Sequence, residues 1–93
     1  MTKGIMVVQS APADASREDE YNEWYSKTHI PELLAIPGFA SARRYKAPDG
    51  SYLAVYELDD LGAVKTLREH PTTKSDTLRV DPPAVVTVYE LLE

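Results

Sequence analysis

Asp49-Gly50 falls near the middle of this 93-residue chain, between two runs with strand-like pattern. Asp-Gly is a favoured pair for a tight β-hairpin turn, and "PDGS" (48–51) punctuates the chain strongly at that point. A hairpin there fixes two neighbouring antiparallel strands. On each side of it lies a helical pattern, and beyond each helix a further strand pattern.

The pattern reads as follows along the chain. "KGIMVVQS" (3–10) is a strand, ended by polar residues and Pro12. Ser16 is expected to start a helix, with Asp19 completing a capping box and Glu18, Asp19 and Glu20 favoured by the macrodipole. Its apolar stripe is Tyr21, Trp24, Tyr25 and Thr28. Pro31 lacks an N–H and restricts Ile30, which predicts a break near His29 and a restart in "PELLAI". Pro37 and Gly38 end that segment. In the second strand (38–48), alternation puts Phe39, Ser41, Arg43 and Tyr45 on one face and Ala40, Ala42, Arg44 and Lys46 on the other. The third strand is 51–59. Asp60 caps a second helix with the stripe Leu61, Val64 and Leu67, closed by Pro71. Residues 72–83 are polar and read as irregular, with one helical turn. "AVVTVYELL" (84–92) is the fourth strand. The order β-α-β-β-α-β is the ferredoxin-like pattern, an α+β fold with a four-stranded antiparallel sheet. One domain spans 1–93.

Both helices of this topology cover the same face of the sheet. The other face should then be polar in a monomer. Instead strands 1, 3 and 4 are apolar in both registers: Ile5 and Val7 against Met6 and Val8, Leu53 and Val55 against Tyr52, Ala54 and Tyr56, Val85 against Val86 and Val88. A second copy packed sheet to sheet is the expected cover, giving a homodimer in which a charge at Val86 or Val88 is disruptive. The absence of cysteine leaves oligomerisation as the remaining support for so small a core.

Composition excludes several classes of function. A net charge of −5 and a pI near 4.9 do not suit a nucleic-acid surface. No run approaches the roughly 20 apolar residues of a membrane span, nor the pattern of a signal peptide, so a cytoplasmic protein is expected. The four glycines form neither GxGxxG nor a P-loop, and no cofactor is expected. Glu32 follows His29 by three residues, a metal-ligand spacing, but Pro31 interrupts it and no second pair exists; no metal is expected.

His29 is the leading candidate for chemistry, because imidazole takes and returns protons near neutral pH. The competing reading is a packing histidine at a proline kink. Tyr25, four residues earlier, is a candidate orienting donor. Trp24 and Tyr21 are candidate substrate walls, though both also fit a core stripe. Arg43 or Arg44 faces the helices, and an inward arginine suits a carboxylate or phenolate. Tyr45 is a further candidate lining residue. His70 fits a helix C-terminus.

Residues 20–45, "EYNEWYSKTHIPELLAIPGFASARRY", resemble the EthD-like members of the dimeric α+β barrel superfamily. The likeness rests on a helix ending in Trp-Tyr, a His two residues before a Pro, and Pro-Gly-Phe opening a strand with paired arginines. The order of elements extends it over most of the chain; residues 70–83 match least. The wider superfamily includes polyketide cyclases, lactone isomerases, cofactor-independent monooxygenases and haem-degrading enzymes. In a plant polyketide cyclase of that superfamily a similar His-Pro is followed two residues on by a catalytic His, where this chain has Thr73. The resemblance implies a homodimer, and it strengthens His29 as acid/base. The expected function is a cofactor-independent enzyme doing isomerase, cyclase, dehydratase or lyase-type proton transfer on a hydrophobic or aromatic metabolite. Alternatives are a non-catalytic ligand-binding or accessory protein and a cofactor-free monooxygenase.

Overall fold

The computed structural model describes residues 2–12, 14–69 and 85–93. Four strands, β1 (Gly4–Ser10), β2 (Phe39–Lys46), β3 (Tyr52–Leu58) and β4 (Val85–Glu90), form one sheet in the order β2-β3-β1-β4. All neighbouring pairs are antiparallel. The α+β, ferredoxin-like arrangement expected from the pattern is the one observed. The hairpin turns at Gly50, whose φ of 91° is costly for any other residue. Asp49 braces it by accepting from the Ser51 N–H (2.9 Å) and hydroxyl (2.7 Å).

The first helical segment departs from expectation at both ends. Its start is set by Asp14, whose carboxylate accepts from the Ser16 N–H and hydroxyl, both at 2.9 Å. A 3₁₀ turn over Ala15–Arg17 leads into α1 (Glu18–Trp24). Ser16 therefore lies inside the entry turn and is not the cap. The expected break at His29 is absent too. Tyr25–His29 forms a π turn and α2 (Ile30–Leu34) follows without interruption; His29 (φ −72°, ψ −50°) and Ile30 (φ −61°, ψ −47°) are both helical. The Ile30 N–H bonds to the carbonyl of Tyr25, five residues back. The ladder has slipped by one residue before the proline. Pro31 then stands in the first turn of α2, where a missing N–H costs little.

The last helix, α3 (Ala63–Glu69), is capped as expected: Asp60 accepts from the Gly62 N–H at 3.1 Å. Val64 is buried, and Leu61 and Leu67 pack against the core. Residues 72–83 and His70 lie outside the described residues.

Strand register assigns the faces. Met6, Val8, Tyr52, Ala54, Tyr56 and Leu58 point under the helices and are buried. Phe39 belongs with them, not with Ser41, Arg43 and Tyr45. A β-bulge between Phe39 and Ser41 inserts Ala40, so Phe39 pairs with Leu58 and the alternation restarts one residue out of step. Val86 and Val88 pair with Val8 and Met6, which also puts them on the helix side. A charge there does not enter the open face, and that part of the dimer expectation is corrected. The open face carries Ile5, Val7, Leu53 and Val55, all half-buried, with Tyr45, Val85 and Tyr89 exposed. Among the described residues no helix is long and apolar enough to cross a membrane.

Candidate active site

The π turn determines what His29 touches. In a turn closed by i→i+5 bonds, side chains four and five residues back fall on the same side. Those residues are Tyr25 and Trp24. The His29 ring stacks on Trp24, with centroids 4.5 Å apart and planes 17° apart. It meets Tyr25 edge to face, at 5.3 Å and 90°. Trp24 and Tyr25 are themselves edge to face at 4.9 Å. Trp24 and His29 are half-buried, while Tyr25 is buried.

Beneath this triad lies a hydroxyl cluster. Ser10, the last residue of β1, is hydrogen-bonded to the Tyr21 hydroxyl at 2.5 Å and to the Tyr25 hydroxyl at 3.3 Å. Burial pushes the Tyr21 hydroxyl up to about 12, only partly opposed by the Ser10 bond; Tyr25 beside it raises it further and Arg44 works the other way. Tyr21 is thus held as a neutral phenol.

Arg44 completes the group. It leaves β2 on the helix side, opposite the small Ala54, and its guanidinium carbon sits 4.4 Å from the Tyr25 ring centre, 5.1 Å from Tyr52 and 5.5 Å from Tyr21. Its Nη2 donates to Asn22 Oδ1 at 3.0 Å, and Asn22 Nδ2 donates to the Tyr52 hydroxyl at 3.3 Å. Asn22 and Ser10 carried no signal of their own in the sequence. Arg44 had one: alternation put exactly one of the two adjacent arginines under the helices, and the bulge leaves that parity unchanged from Ser41 onward.

Four of the six candidate residues therefore meet: His29, Tyr25, Trp24 and Tyr21. Arg43 and Tyr45 do not join them. They lie on the opposite face of the sheet, in a concavity of about 660 Å³ that also involves Ile5, Val55, Glu57 and Tyr89. The layer between the first helix and the sheet is filled. Tyr21, Tyr25, Leu33, Ile36 and Tyr56 are the largest fully buried side chains, and all belong to that layer. A ligand reaching His29 meets it at the rim of the layer, where Asn22, Trp24 and Arg44 are also half-buried. Glu32 is half-buried one turn beyond His29. Among the described residues no three His, Asp or Glu side chains gather as metal ligands.

No family model matches the sequence, and no curated protein does. Among solved structures, the fold is similar to that of a monooxygenase from the gene ActVA-Orf6 of Streptomyces coelicolor, determined in complex with the ligand nanaomycin D. The likeness covers 97% of this chain and 88% of that one with a TM-score of 0.60, at 15% sequence identity. At that identity what the two chains share is the fold, a four-stranded antiparallel sheet with helices in the ferredoxin-like order.

Proposed function

We propose that this chain is an EthD-like enzyme that moves a proton on a small hydrophobic or aromatic metabolite, with His29 as the acid/base. The supporting observation is the setting of His29. Its ring is clamped flat against Trp24 and edge-on to Tyr25, at the rim of the helix–sheet layer. Such a clamp fixes the direction in which the imidazole takes a proton, and orientation is where most of the benefit of a positioned base lies. Tyr25 acts through its ring, since the residue is buried and its hydroxyl lies inside the layer, 3.3 Å from the Ser10 hydroxyl. Reprotonation of the substrate anion at another atom gives isomerisation, and loss of a leaving group gives elimination. A second reading, reaction of the same anion with dioxygen, draws on the structural similarity to a monooxygenase.

The test is deuterium exchange. A panel of aryl ketones and hydroquinones is incubated with the protein in D₂O and followed by NMR, with oxygen uptake recorded in parallel. Exchange that vanishes in His29→Ala, with the melting midpoint kept, supports the reading. Exchange with oxygen uptake selects the second form. A fall in midpoint without any effect on exchange makes His29 a packing residue.

A further inference from the structure

We propose that Arg44, held by Asn22, is the group by which this site recognises its ligand, and that the ligand presents a conjugated oxyanion, a phenolate or enolate, to the aromatic wall. The inference rests on the proton-transfer reading for the location of the site, but it follows from a separate observation. A guanidinium carries five N–H donors and a full charge. Arg44 is half-buried, yet its acceptor among the described residues is a single amide oxygen, Asn22 Oδ1. Its Nε–H is buried and has no acceptor among the described residues. No carboxylate among the described residues pairs with it. Lys46, two residues along the same strand face, takes Glu18 at 3.1 Å.

The neighbours cannot supply the missing charge. Tyr21, Tyr25 and Tyr52 surround the guanidinium with ring faces, which attract a cation but do not neutralise it. Tyr21 stays protonated, its hydroxyl pushed up by burial. A half-buried charge with no counter-ion among the described residues favours the arrival of one. Asn22 is tied to Tyr52 through Nδ2 and so turns its oxygen to Arg44, which anchors the guanidinium at Nη2. Arg44 and His29 pack against the same Tyr25 ring, one over its face and one at right angles to it. An oxyanion that forms as His29 takes a proton would therefore develop close to a fixed cation. The alternative is that Arg44 only props the three rings apart.

Two probes separate these roles: 4-nitrophenol, whose ionisation changes its visible absorbance, and its methyl ether 4-nitroanisole, which cannot ionise. The unaltered chain should bind nitrophenolate at least about tenfold more tightly than the ether and lower the apparent pKa of bound nitrophenol. Arg44→Gln should lose both effects and keep ether binding. Arg44→Lys keeps the charge over the rings but not the planar fork, and should lose most of the preference with the fold intact. His29→Ala should lose deuterium exchange yet retain the preference, so the two readings fail separately. Equal binding of the probes, no binding of either, or a preference that survives Arg44→Gln overturns the proposal. Should both Arg44 variants fail to fold, nitrophenol binding by the unaltered chain decides: affinity that does not rise as the phenol ionises overturns it.

Discussion

The hydroxyl of Tyr21 is shut away from water beneath α1, and its folded-state ionisation lies at about 12 against 10.0 for an ordinary tyrosine. The consequence for stability has a definite sign. Below pH 10 the phenol is neutral folded or unfolded, and the native state keeps its full advantage. As pH rises from 10 towards 12, the unfolded chain ionises while the native one resists, so stability falls. The loss across that window is on the order of 2–3 kcal/mol. Urea midpoints measured from pH 9 to 12 should drop accordingly, and more shallowly in Tyr21→Phe. That variant should cost about 1 kcal/mol at neutral pH for the Ser10 bond. A parallel drop in both proteins would remove Tyr21 from the account. His29 gives the complementary prediction. It is half-buried at the rim, so His29→Ala should change stability by less than about 1 kcal/mol while reducing proton transfer by roughly 10²–10⁴-fold.

At the scale of elements, the π turn and the β-bulge place the site, and neither was legible. The strands, the Asp49-Gly50 turn and the Asp60 cap were, because each follows from residue type at a fixed offset. Pro31 does forbid a regular ladder. Yet the chain can also satisfy it by slipping the ladder one residue, a solution whose signal lies in hydrogen bonds and not in periodicity. The bulge at Ala40 likewise adds a residue without any turn-forming type, so strict alternation put Phe39 on the wrong face. Ser16 and Asp14 both belong to the capping residues, and only the 3₁₀ turn decides between them. Pro31→Ala tests the slip. With the N–H restored, the segment should relax towards a regular α-helix and pull His29 off Trp24. Trp24 is the chain's single tryptophan. Its fluorescence in Pro31→Ala should move towards that of His29→Ala; an unchanged spectrum would mean that packing, and not the proline, holds the turn. Gly38 gives a second test at this scale. Its φ is +99°, and an added Cβ would lie 2.7 Å from the Cβ of Ala63 at the start of α3. Gly38→Ala combines backbone strain with a clash and should cost about 1–3 kcal/mol by urea denaturation.

The whole molecule poses a problem of surface. A chain of 93 residues encloses a small core, and among the described residues no helix lies over one face of its sheet. Ile5, Val7, Leu53 and Val55 run across that face, and Tyr45, Val85 and Tyr89 remain 51%, 64% and 52% exposed. The surrounding charges are mixed: Lys3 and Arg43 on one hand, Glu57, Asp59, Glu90 and Glu93 on the other. A twofold interface needs a surface that complements itself, and a mixed border around an apolar centre meets that requirement. We therefore expect a homodimer joined sheet to sheet, with light scattering giving twice the chain mass at micromolar concentration. Its thermal midpoint should rise with protein concentration. Register chooses the decisive substitution. Val7 lies on the inner strand β1, opposite Val55 and Thr87, with no cation among those ladder partners. Val7→Glu would bury an unpaired carboxylate in each protomer, a penalty of several kcal/mol, and should yield monomers or unfolded chain. Val86→Glu, on the helix side, should leave the dimer assembled. A monomeric parent protein, or a Val7→Glu protein that still dimerises, would show that this face meets water or a different partner.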